Sequence, residues 1–122
     1  MKYDIAAALQ ALKPGAEWVL RGSEYSGLEW LDKSQTAPSE SDIATKITAM
    51  DNAEATRLLR VERDAKLAAL DWEVTKAHSK GEAVASELAT YMQALRDLPA
   101  SASPTTDSNG ELVASSVTWP TR

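Results

Sequence analysis

Tyr91-Met92-Gln93-Ala94-Leu95-Arg96-Asp97-Leu98-Pro99 closes the stretch, opening at Arg57, whose reading decides how this chain folds. Read back from Pro99, apolar side chains fall at Leu98, Leu95, Tyr91, Leu88 and Val84. Steps of three and four put all five on one face of a helix. A second run stands before it at Leu58, Val61, Ala65, Ala68 and Trp72, again in steps of three and four. The spacing predicts helices over 53–78 and 82–98, separated at Ser79-Lys80-Gly81-Glu82. Ser79 and Glu82 have capping-box spacing, and Pro99 is expected to end the second helix. Gly81 permits the pair to fold back or to run on as one. Such seams must pack on each other, as a helical hairpin, or on a partner, as in a coiled coil. Trp72 is an anchor in either case.

Upstream, Tyr3, Ile5, Ala6, Leu9 and Leu12 give residues 1–13 an apolar helical face, and Pro14-Gly15 stops it. Trp18-Val19-Leu20 and Leu28-Glu29-Trp30 flank a Gly- and Ser-rich turn and read as a β-hairpin with both tryptophans on one face. A lone hairpin is marginal in water, so helix 1 or another chain must cover it. After a polar connector, Ser39 is suited to cap a helix carrying Ile43, Ile47 and Met50, with a short break expected at Asp51-Asn52. Beyond Pro99 the chain turns to Ser and Thr and reads as a tail. Its end, Trp119-Pro120, is a tryptophan expected to dock in a pocket rather than stand in water.

These elements make the fold α+β and mainly α. The expected organisation is an N-terminal helix and β-hairpin module over 1–38, a helical module over 39–99, and an extended Ser/Thr-rich tail over 100–122.

The composition narrows the function. With 122 residues and no Phe, the chain has little material for a thick independent core. A net charge of −5 argues against a general nucleic-acid or anionic-membrane binder. No cysteine is present, which removes disulfides, thiolate metal sites and a Cys nucleophile. No run approaches the roughly 20 apolar residues of a membrane span, and the first residues lack the pattern of a signal peptide. The protein is therefore expected to act where it is made.

His78 is the sole histidine and lies near a helix end, so neither a metal cluster nor a Ser-His-Asp arrangement has partners. The carboxylates Asp71 and Glu73 carry no geometric information, and no phosphate-cradling glycine pattern is present. Arg57, Arg60, Arg63 and Lys66 form a basic run, but Glu54, Glu62 and Asp64 are near enough to make it a salt-bridged, solvated face. No catalysis, cofactor, metal or small-molecule substrate is expected.

Arg60-x-x-Arg63-Asp64-x-x-Leu67-x-x-x-Asp71-Trp72, then Tyr91-x-x-Ala94-Leu95-Arg96-Asp97-Leu98-Pro99, then Trp119-Pro120, resembles the phage tail assembly chaperone family. The resemblance covers about residues 57–120 and rests on the order and spacing of the three pieces. The chain departs from the family pattern at Leu88, where an aromatic is usual, and at Met92, where a basic residue is usual. The resemblance implies a non-enzymatic chaperone of tailed bacteriophages that assists folding, trimerisation or assembly of a trimeric tail fibre. It would work in the cytoplasm of the infected bacterium by covering exposed apolar and β surface. The partner-binding residues expected on this basis are Trp72, Leu88, Tyr91, Leu95, Arg96, Leu98, Trp119 and Pro120. Two alternatives differ in class: a permanent part of the tail or baseplate, retained in the virion, and a small adaptor that dimerises through its coiled coil.

Overall fold

The computed structural model describes residues 2–122. Four helices and one hairpin follow in the order α1 (Ile5–Leu12), β1 (Trp18–Leu20), β2 (Leu28–Trp30), α2 (Glu40–Ala68), α3 (Asp71–Ser79) and α4 (Ser86–Ser101). The fold is mainly α with a small antiparallel β part, as the sequence predicts.

The hairpin pairs Trp18 with Trp30 and Leu20 with Leu28, so all four side chains share one face. That face packs with Ile5 and Leu12 of α1 and Ile47 of α2 around buried Ala8, Leu9 and Ile43. Helix α1 is thus the cover that the hairpin requires, with Ala8 rather than Ala6 fully buried. The Trp30 indole N–H donates to the Gln35 carbonyl at 2.9 Å, and the Gln35 amide donates to the Pro14 carbonyl at 3.0 Å, tying the connector back to the end of α1.

Ser39 caps α2 with a full capping box: the Asp42 N–H donates to Ser39 Oγ at 3.0 Å, and the Ser39 N–H to Asp42 Oδ2 at 3.2 Å. From there α2 runs unbroken for 29 residues, so the break expected at Asp51-Asn52 does not occur. Two weak helix formers cost only a few tenths of a kcal/mol each, far less than the burial of Ile43, Ala55 and Leu59 along one helix contributes.

The break lies instead at Ala69-Leu70, dividing the predicted helix 53–78 into α2 and α3. Both residues keep right-handed backbone angles, so the chain bends without leaving the helical region. The bend carries Leu70 into a second core with Leu88 and Leu95, flanked by Leu67, Val84, Tyr91, Met92 and Trp119.

Helix α3 ends in a Schellman motif, with the Gly81 N–H donating to the His78 carbonyl and the Glu82 N–H to the Ala77 carbonyl at 3.0 and 2.9 Å. Gly81 adopts φ 69°, the left-handed conformation this motif needs. Ser79 is consequently the last residue of α3, its hydroxyl donating to the Lys76 carbonyl, and the capping box expected with Glu82 is absent. Helix α4 starts four residues later than expected, at Ser86, and packs back on α2. Pro99 lies inside α4 rather than ending it. Near the C-terminus its missing N–H costs one hydrogen bond, and the next turn closes through the Ala102 N–H donating to the Leu98 carbonyl at 2.9 Å.

The tail then folds over the helices with one β-bridge, Thr106 to Leu112, and a single 3-10 turn at Ala114–Ser116.

Candidate partner-binding face

The periodicity of α4 points the correct residues inward: Leu88 and Leu95 are buried, and Val84 and Tyr91 pack beside them. The first run behaves in the opposite way. On α2 the residues that face the protein are Ala55, Leu59, Leu67 and, past the bend, Leu70. The predicted seam lies on the solvent side, where Leu58 is half-buried, Ala65 and Ala68 are exposed, and Val61 is 56% exposed. Across the bend, Trp72 is 62% exposed. Val61 and Trp72 are the two most exposed of the large apolar side chains described. These exposed apolar side chains are the candidate docking surface.

Trp72 also forms one wall of a shallow groove of about 320 Å³ between α3 and the segment entering α4. Lys76 and Ala77 line it from α3, and Val84, Ala85 and Leu88 from the opposite side. The Lys76 ammonium stands 5.9 Å from the centre of the Trp72 ring. The groove is thus mixed: Trp72, Val84 and Leu88 give it apolar surface, and Glu73, Lys76, Lys80 and Glu82 line it with charge.

The tail reaches the same end of the molecule. Trp119 is half-buried against the Leu70, Leu88 and Leu95 core, and the Lys66 ammonium lies 4.8 Å from its ring centre. Docking of this tryptophan is therefore within its own chain, and Val117 beside it is buried. Three residues on, Arg122 grips two helices. Its guanidinium donates to Glu73 of α3 at 2.8 and 3.1 Å and to Glu87 of α4 at 2.6 and 3.3 Å. These hydrogen bonds hold the Glu73 and Glu87 carboxyls below the usual glutamate range and raise the pKa of the guanidinium.

The remaining expected contact residues fall in different settings. Arg96 is exposed, whereas Leu98 and Pro120 are half-buried. Leu88 and Leu95, 3% and 0% exposed, belong to the core that positions α4. The basic run is only partly the solvated, salt-bridged face expected. Arg57 and Arg60 are exposed and Arg57 pairs with Glu54 at 2.7 Å, but the half-buried Arg63 pairs with Asp64 at 2.9 Å and the half-buried Lys66 caps the Trp119 ring. Sequence reasoning missed Glu73, Glu87 and Arg122 as a unit. A final arginine and two helix-surface glutamates 14 residues apart carry no local pattern that joins them.

Among the described residues no cluster of His, Cys, Asp or Glu is arranged to hold a metal ion. No helix among the described residues is long and apolar enough to cross a membrane. Residues 56–122 match the family model described as phage tail assembly chaperone protein, a span that contains the exposed stripe from Leu58 onward, the groove and the tail seat. No curated protein and no solved structure matches the chain.

Proposed function

The chain belongs to the phage tail assembly chaperone family, and from that premise we propose that it is a non-enzymatic chaperone for a trimeric tail fibre, acting in the cytoplasm of the infected host. The observation that carries this reading is the uncovered stripe of Val61, Ala65, Ala68 and Trp72, continued by the groove under Trp72. Trimeric fibres are built from intertwined β-rich chains, whose unassembled forms expose strand edges and apolar surface and aggregate readily. A helical protein offering one apolar stripe with a charged rim covers such surface reversibly. Ala65 and Ala68 keep the middle of the stripe low, so a flat strand can lie along it. Trp72 supplies the large aromatic contact typical of interface hot spots. Leu88 and Leu95 contribute from beneath by fixing α4, and Tyr91, Arg96, Leu98 and Pro120 are further candidate contacts.

The test is co-expression with the neighbouring fibre gene, followed by size-exclusion chromatography with light scattering. The expected result is soluble trimeric fibre only when this chain is present, with a transient complex of defined mass. A fibre that trimerises equally well alone contradicts the proposal. Quantifying this chain in purified particles separates it from a permanent tail component, which would be present in stoichiometric amount.

A further inference from the structure

The last six residues, Val117–Arg122, have no regular structure, yet they are seated at two points. One is the Trp119 ring on the Leu70, Leu88 and Leu95 core beneath Lys66. The other is Arg122 between Glu73 and Glu87. Among the described residues, no hydrogen bond from the backbone of residues 118–122 reaches any helix. Val117 is buried and its N–H donates to the Ala114 carbonyl; beyond it, residues 118–122 are held by side chains, chiefly one ring and one guanidinium three positions apart.

The seat itself is specific. Glu73 and Glu87 come from two different helices, and their carboxylates converge on Arg122, which hydrogen-bonds both, while Lys76 adds a weaker favourable charge near Glu73. Without a cation they repel each other. Without a ring, Leu67, Leu88, Tyr91 and Leu95 lose part of their cover. Glu73 also lines the groove below Trp72, so the seat is continuous with the face assigned above to the client.

We propose that this seat is a binding site for an extended client segment bearing an aromatic side chain and, three positions later, an arginine, and that the chain's own tail fills it until the client arrives. The identity of the incoming chain rests on the chaperone reading; the seat and its chemistry do not. The tail displays the ligand it stands in for, with an aromatic ring for the apolar floor and a guanidinium for the paired carboxylates. Exchange of like for like leaves no buried group unsatisfied before or after, so release of the client is as easy as its capture. The free protein, meanwhile, does not present this part of its apolar surface to other copies.

The experiment uses the full chain and a fluorescent peptide with the sequence of residues 113–122, read by anisotropy. In Arg122→Glu the tail's own side chain is repelled by Glu73 and Glu87, so the seat opens. A seat occupied by the tail about nine-tenths of the time weakens the peptide about tenfold, so the variant should bind about tenfold more tightly than the natural chain. Peptides carrying Trp119→Ala or Arg122→Glu should not bind. A milder opening, Arg122→Gln, is expected to show a smaller gain in the same direction and guards against misfolding of the first variant. Equal peptide binding by the natural chain and both variants, or binding indifferent to the peptide's tryptophan and arginine, overturns the proposal. No fibre is present in this assay, so its failure is distinct from failure of the chaperone reading.

Discussion

Gly27 shows how closely single residues shape the N-terminal half. Its carbonyl accepts from the Arg21 N–H at 2.9 Å, and an added Cβ would lie 1.9 Å from the Arg21 carbonyl oxygen. Gly27→Ala must spread the hairpin and is expected to cost about 2–3 kcal/mol, read as a lower midpoint in urea. Asp32 pins the other end of the hairpin: its carboxylate accepts from the Glu17, Gln35 and Ser34 N–H groups and from the Ser34 hydroxyl. The backbone bond from Glu17 leads in lowering its pKa from 3.8 to about 2. A depressed carboxyl pKa gives stability that is complete above the ordinary value and lost as pH falls through the folded one. The melting temperature of the natural chain should therefore drop from about pH 4 downward toward pH 2, whereas Asp32→Asn should lie lower at neutral pH and converge with it in acid. A gap that persists unchanged at pH 2 would contradict this account. On the opposite end of the molecule, residues differ by burial. Leu95→Ala should destabilise by about 2–5 kcal/mol in thermal or urea unfolding. Trp72→Ala should stay within about 0.5 kcal/mol of the natural chain, because its ring is largely in water.

Among the elements, those specified by neighbouring residues were legible in the sequence. The hairpin register followed from alternation of Trp18, Leu20, Leu28 and Trp30, and the start of α2 from Ser39. Ser39→Ala removes a side-chain acceptor of the capping box and is expected to cost about 1 kcal/mol, measured as a lower melting temperature. Elements fixed by distant packing were not legible. Asp51-Asn52 looked like a break because it is locally weak, but helix α2 is held there by contacts made on either side of it. Pro99 looked like a stop, yet a proline in the last turn loses little. The first apolar run had the right period and the wrong side. Helix α2 has apolar residues on two faces, and alanines at 65 and 68 give little contrast between them. Only the packing of Leu59, Leu67 and Leu70 decides which face turns inward. That error is informative, because a seam that its own helices leave unused remains free for another chain. The proposed face divides in the same way. The sequence marked Trp72, but as a packed anchor, whereas its ring stands 62% exposed, and the Arg122 clamp needed three elements to be brought together.

At the scale of the molecule, the two cores lie toward opposite ends of α2: one with α1 and the hairpin, the other with α4 and the end of the tail. The matched family span holds the second of them, and with it the stripe, the groove and the seat. A chain so arranged has one end that satisfies itself and one that keeps apolar surface at hand, as a folding assistant requires. The most direct measurement of that claim is site-specific photocrosslinking in cells that express both proteins, with a photoreactive amino acid at position 72, at position 61, and at position 19 on the outer face of the hairpin as control. The account predicts adducts to the fibre chain from positions 72 and 61 and none from position 19. Adducts that arise equally from position 19, or that join position 72 only to further copies of this protein, would contradict it.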